Sequence, residues 1–238
     1  MTYCVGLLLN AGLVLLSDTR TNAGVDNIST YRKMFTFAEE GERAIIIMTA
    51  GSLSVTQTTM ARLDEATSNP DNRSIMTAET MLEVAEMVGT TLAEVSEQVA
   101  SRMGAKAQSA RASMIVAGQR RGGAPRMFLI YPEGNFIEAT ADTPYLQIGE
   151  HKYGKPILDR VVTPETTLED GKKAALLSMD STLRSNLSVG MPLDLSVIET
   201  DTQRIVEQRR IDADDETFSA MSVAWSQALR DAFQEIEI

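Results

Sequence analysis

The chain has 238 residues, 43% hydrophobic and 23% charged, the make-up of a globular protein with a large core. Its 22 Lys+Arg against 33 Asp+Glu leave a net charge of −11, a field that repels nucleic acid and anionic membranes. One Cys (Cys4) excludes an internal disulfide, and one His (His151) excludes clustered His ligands, so neither metal nor cofactor is expected.

In chain order, residues 2–9 (TYCVGLLL) and 13–18 (LVLLSD) are apolar runs joined by Asn10-Ala11-Gly12, and they read as a β-hairpin. Neither run alternates with polar residues, so both faces of each strand are expected to be buried. No Lys or Arg precedes Arg20, and Asn10 splits the apolar stretch, so the marks of a signal peptide are missing. No later run approaches the ~20 apolar residues of a membrane span, and a cytoplasmic location is the expectation. Lys33–Ala38 and Arg43–Gly51 form a second strand pair around the acidic turn Glu39-Glu40-Gly41-Glu42, a solvated turn without a complete ligand set.

The period turns helical over Leu53–Ala66 and Ala78–Met103, where Met81, Val84, Val88, Leu92, Val95, Val99 and Met103 mark one face. Strands return at Ser113–Gly118, Arg126–Tyr131 and Asn135–Ala141, separated by turns rich in Gly and Pro; the basic run Arg120–Arg126 is one of these turns. A helix is expected over about residues 154–162. Thr163-Pro164-Glu165 then supplies a cap-like Thr and a first-turn Pro, and Thr166–Glu169 fits a capping box, predicting a helix from here to about Leu187. Met191–Thr200 and Arg204–Ile211 are strand-like. Asp214-Asp215-Glu216 opens a last helix with Phe218, Met221, Trp225, Leu229 and Phe233 on one face. This order predicts an α/β (α+β) fold of one domain, residues 1–238: a four-layer α-β-β-α sandwich of two mainly antiparallel sheets.

Scarce Cys and His leave few nucleophile–base pairs. His151 has no Ser partner that the sequence singles out, and Cys4 lies inside an apolar strand. Thr2 offers another route. Removal of Met1 would give a Thr with both a hydroxyl and a free α-amine, whose ordinary pKa of ~7.7–8.0 suits it to take the proton from its own Oγ.

From Thr2 onward the pattern is strand, tight turn, strand ending Ser17-Asp18-Thr19-Arg20, then Lys33 at a strand start, then Thr49-Ala50-Gly51-Ser52 between strand and helix. This resembles the proteasome-type β subunits of the N-terminal-nucleophile (Ntn) hydrolases. Lys33 stands one residue early, as a one-residue deletion in the Asn22–Ser29 loop would explain. The run Ser17–Asp26 with Tyr31-Arg32-Lys33-Met34, and Ile148-Gly149-Glu150 with Tyr153-Gly154-Lys155-Pro156, are similar to the bacterial ancestral-beta-subunit family, Anbu, over essentially the whole chain.

The resemblance implies that Thr2 is the nucleophile of an amide-cleaving threonine hydrolase. Lys33 would depress the pKa of its amine and hydroxyl, Asp18 would hold Lys33, and the Gly51 N–H would meet the oxyanion. The family's late-helix Asp and the Ser after it map onto Asp180 and Ser188, which would orient the amine. Glu150 departs from the pattern, standing where proteolytic relatives usually carry Ser. The resemblance also implies self-association of many copies, as a ring or an open helix. It leaves open the substrate and any unfoldase partner. Two other readings stand beside it: an assembly protein of this fold without turnover, and an Ntn amidase on a non-peptide or isopeptide substrate.

Overall fold

The computed structural model describes residues 1–22, 28–69 and 71–237. The deletion expected in the Asn22–Ser29 loop falls mostly on residues 23–27 and lies outside the described residues.

Twelve strands and five helices are described: β1 (Tyr3–Leu9), β2 (Gly12–Asp18), β3 (Arg20–Asn22), β4 (Ile28–Thr30), β5 (Met34–Glu39), β6 (Arg43–Gly51), α1 (Leu53–Thr67), α2 (Met81–Met103), β7 (Ala112–Arg120), β8 (Arg126–Ile130), β9 (Phe136–Glu138), β10 (Tyr145–Gly149), α3 (Lys155–Val161), α4 (Leu168–Ser185), β11 (Leu193–Glu199), β12 (Ile205–Ile211) and α5 (Glu216–Glu235). Two five-stranded sheets run in the orders β10-β1-β2-β11-β12 and β5-β6-β7-β8-β9, and every pairing within them is antiparallel.

The strands of the first hairpin are buried on both faces because each face meets a different core. Leu7, Val14 and Leu16 pack under α3 and α4, whereas Cys4, Leu13 and Leu15 face the second sheet beside Ile46, Met48 and Ile115. Ile45, Ile47 and Val116 on the far side of the second sheet meet Val84, Val88 and Leu92 of α2 and Val55 of α1. The α-β-β-α layering expected from the sequence is therefore present. Among the described residues no helix is long and apolar enough to cross a membrane.

One local expectation needs correction, and some strands were not expected. The helix expected to begin at Thr163 begins at Leu168, capped by Thr167, whose hydroxyl accepts from the Asp170 N–H. Thr163 instead closes a turn in which its N–H donates to Thr166 Oγ1 at 2.9 Å, and the Pro164 carbonyl accepts from the Asn10 N–H at 2.7 Å. The sheet strand β10 and the short pair β3–β4 were not expected. The acidic turn behaves as a solvated one: Glu42 pairs with Arg121 and Glu40 with Arg204.

Candidate active site

β2 ends at Asp18, and Lys33 stands immediately before β5, which begins at Met34, so the pair joins the end of a strand of one sheet to the start of a strand of the other. Lys33 is buried, and its ammonium donates to Asp18 Oδ1 at 2.7 Å, to the Arg20 carbonyl at 2.6 Å and to the Met1 carbonyl at 3.3 Å. The last acceptor belongs to the peptide bond that precedes Thr2. Lys33 therefore sits against the start of Thr2, which is itself buried.

Asp18 is wholly buried and fully engaged. Its Oδ1 also accepts from the Tyr3 N–H at 3.0 Å, and Oδ2 accepts from the Gly190 N–H at 3.2 Å. Burial pushes its carboxyl upward, while the Lys33 ammonium and the two backbone donors pull it back. The ion pair thus lies in a dry setting where both partners depend on each other. At the chain start, burial and then the Lys33 charge lower the pKa of the Met1 amine from its ordinary 8.0; Asp18 and Glu150 oppose them.

β10 ends against Thr2. The Glu150 N–H donates to the Thr2 carbonyl at 2.7 Å, and Gly149 has φ +82°, with a Cβ at that position falling 1.9 Å from the Thr2 carbonyl oxygen. Only glycine lets the backbone pass so close. The end of β6 approaches through Thr49, whose N–H donates to the Lys33 carbonyl at 2.9 Å. Two residues on, Gly51 has φ +109°, and a Cβ there would lie 2.5 Å from the Arg111 carbonyl oxygen. Gly51 is exposed at the strand-to-helix turn, immediately before Ser52, the N-cap of α1.

Thr2, Asp18 and Lys33 are brought together, and Gly51 stands two residues beyond Thr49, the residue of β6 bonded to Lys33. The residues after Ser188 reach the site, the Val189 carbonyl accepting from Arg20 Nη1 at 3.5 Å and the Gly190 N–H donating to Asp18, whereas Ser188 bonds Asn186 Oδ1 through its N–H and has no hydrogen bond to Thr2, Asp18 or Lys33 among the described residues. Asp180 is buried, but its oxygens accept from Ser222 Oγ at 2.6 Å and Arg184 Nε at 3.1 Å, fastening α4 to α5; no hydrogen bond joins it to Thr2, Asp18 or Lys33 among the described residues.

Two participants were missed. Gly190 acts through its N–H and its lack of a side chain, since a Cβ there would collide with the Arg20 guanidinium. Ser178, on the buried face of α4, meets Tyr3 Oη at 2.5 Å, and Gln147 Nε2 donates to the same phenol at 2.6 Å. Spacing on α4 could have placed Ser178 on the buried face but could not supply its partner. Burial pushes the Tyr3 phenol up to about 12. Cys4 is likewise buried and its thiol pushed far up, and His151 is exposed, its ring Nδ1 beside the Gly149 carbonyl. Neither offers a nucleophile or base to this site.

Residues 2–198 match the proteasome subunit family. Among solved structures, the chain is similar to Anbu (ancestral beta-subunit) from Yersinia bercovieri, with 42% identity over 99% of this chain and 98% of that one and a TM-score of 0.93. Anbu from Hyphomicrobium sp. strain MC1 shares 47% identity over 99% and 98% of the two chains, with a TM-score of 0.89. A helical assembly of the Anbu complex from Pseudomonas aeruginosa shares 44% identity over 99% and 97%, with a TM-score of 0.93. No curated protein matches the chain. With the two-sheet fold, the Asp18–Lys33 pair at Thr2 and full-length likeness to these structures in place, the chain belongs to the proteasome subunit family and, within it, to Anbu.

Proposed function

We propose that the chain is a threonine-type Ntn hydrolase that cleaves amide bonds, with Thr2 as nucleophile once Met1 has been removed. The observation that carries this reading is the Lys33 ammonium, held by the buried Asp18 carboxylate and bonded to the carbonyl just before Thr2. In the trimmed chain the Thr2 α-amine takes the Oγ proton, and Oγ attacks the substrate carbonyl. The positive charge of Lys33 favours the neutral amine and the developing alkoxide. The N–H of Gly51, which is exposed at the strand-to-helix turn, is assigned to the oxyanion, a contribution typically worth ~3–4 kcal/mol. Collapse of the tetrahedral species expels the amine and leaves an ester on Thr2, which water hydrolyses to restore the free hydroxyl.

A cavity of about 520 Å³ between β5 and α1 is lined by Tyr31, Arg32, Phe35, Phe37, Met60 and Asp64 among others. Its aromatic and thioether walls suit an apolar side chain of a peptide substrate. Ser188 is assigned to the amine through its loop, whereas the bonds of Asp180 favour a role in seating α4. The single domain works as a homo-oligomer in the cytoplasm, in line with the helical assembly of the Pseudomonas aeruginosa relative.

Intact-mass measurement of the purified protein tests the reading. Loss of Met1, with one equivalent of an electrophilic β-lactone added to the wild type and none to Thr2→Ala, is the expected outcome. A homogeneous chain that retains Met1 and takes up no lactone would favour the assembly protein without turnover.

A further inference from the structure

The edge strands β5 and β12 leave a slot of about 370 Å³ between the two sheets. Arg32 and Thr36 line it from one side, and Asp194, Ser196, Gln208 and Arg210 from the other. We propose that this slot binds a small oxyanion, a phosphate or a carboxylate.

Ser196 is wholly buried and its Oγ has no hydrogen-bond partner. In the β2–β11 register it stands two residues before Ile198, whose side chain belongs to the core between the sheets, so it shares that inward face. A buried polar atom without a partner calls for a bound group to supply one.

Arg210 makes a two-pronged bond to Asp194 at 2.8 and 3.0 Å, and Arg209, which also lines the slot, bonds Glu207 at 3.0 Å, so these cations are already neutralised. Arg32 makes no ion pair among the described residues. On a molecule of net charge −11 the slot therefore carries an unmatched positive charge. Gln208 Nε2 donates to Thr36 Oγ1 at 3.0 Å, which leaves the Thr36 hydroxyl hydrogen free to donate in turn. Donors from serine, threonine and guanidinium around one cationic gap fit an oxyanion, whose several oxygens accept at once. A metal cation would meet the arginines, and an apolar ligand would leave the hydroxyls unanswered.

Calorimetric titration of the full chain with inorganic phosphate, and separately with succinate, at constant ionic strength tests the proposal. At least one anion is expected to bind saturably, with affinity about tenfold weaker in Arg32→Gln and in Ser196→Ala. Arg62→Gln, on α1 away from the slot, should bind as the wild type does. Circular dichroism checks that each variant is folded. Phosphate binding without succinate, or the reverse, identifies which oxyanion the slot takes. Absence of saturable binding by both anions, or unchanged affinity in both slot variants, would overturn the proposal.

Discussion

Thr2 and Lys33 stand in different relations to the fold, and this separates two effects of mutation. Thr2→Ala removes one hydroxyl and one methyl at the start of a strand, so it is expected to abolish hydrolysis with a melting temperature close to the wild type. Lys33→Ala should also abolish hydrolysis, but it strands the wholly buried Asp18 carboxylate and is expected to cost about 3–5 kcal/mol in denaturant unfolding. Asp18→Asn with Lys33→Met, which removes both charges together, should recover much of that loss while remaining inactive. Equal stability of Thr2→Ala and Lys33→Ala would contradict a buried, interdependent pair.

The amine and Tyr3 add two pH signatures of opposite direction. A terminal amine acts as base only when neutral, so turnover should fall as pH drops through its pKa. The Met1 amine already lies below 8.0 through burial and Lys33. On the proposed mechanism, the Thr2 amine, next to the same lysine, should sustain hydrolysis somewhat below pH 8. A pH–rate profile whose acid limb lies above pH 8 would refute this. Tyr3 concerns stability. Its phenol is neutral in the fold up to about 12, against 10.0 when unfolded, so its contribution is full below pH 10 and is lost as pH rises from 10 toward 12. Two units correspond to about 3 kcal/mol. Tyr3→Phe should lose stability at neutral pH, because Ser178 and Gln147 are left unpaired, yet fall less steeply between pH 10 and 12. Parallel curves of unfolding free energy against pH for the two proteins would rule this out.

At the scale of elements, local signals were readable where they were long and uncontested. The unbroken apolar runs of β1, β2 and β6 disclosed a sandwich with two cores per sheet, and the helical period of α2 located the outer layer. β10 was hidden because its five residues, Tyr145–Gly149, become a strand by pairing with β1, about 140 residues earlier in the chain. The start of α4 was misplaced because Thr163 and Thr167 are both competent caps; the bond from Asn10 to Pro164 commits the first to a turn. In the candidate site, side chains with distinctive chemistry, Thr2, Asp18 and Lys33, could be named from a familiar arrangement, whereas the Gly190 N–H leaves no mark in sequence. The end of β10 is the element most exposed to test. Gly149→Ala forces a Cβ onto the Thr2 carbonyl at a positive φ, and should cost more than about 2 kcal/mol and displace the nucleophile. Undiminished lactone labelling of a folded Gly149→Ala protein would show that β10 does not position Thr2.

At the scale of the molecule, α5 is the helix least explained by its own chain. Phe218 and Met221 pack against the core beneath α4, but no residue of the helix is buried, and Val223, Leu229, Phe233 and Ile236 are 64%, 51%, 80% and 71% exposed. Covering a Phe or Leu side chain contributes about 1.5–3 kcal/mol, so burying Leu229 and Phe233 against another copy can stabilise a contact substantially. If the surface that receives them differs from α5, the contact is heterologous, and any rise per copy opens a ring into a helix. Truncation of α5 would confuse assembly with folding, because Phe218 and Met221 would go with it. Leu229→Asp with Phe233→Asp leaves that packing alone and should shift the protein to smaller species in light scattering, with an unchanged melting curve at a concentration where the wild type is also dissociated. Assembly of the double variant to wild-type size would exclude the distal half of α5 from the contact.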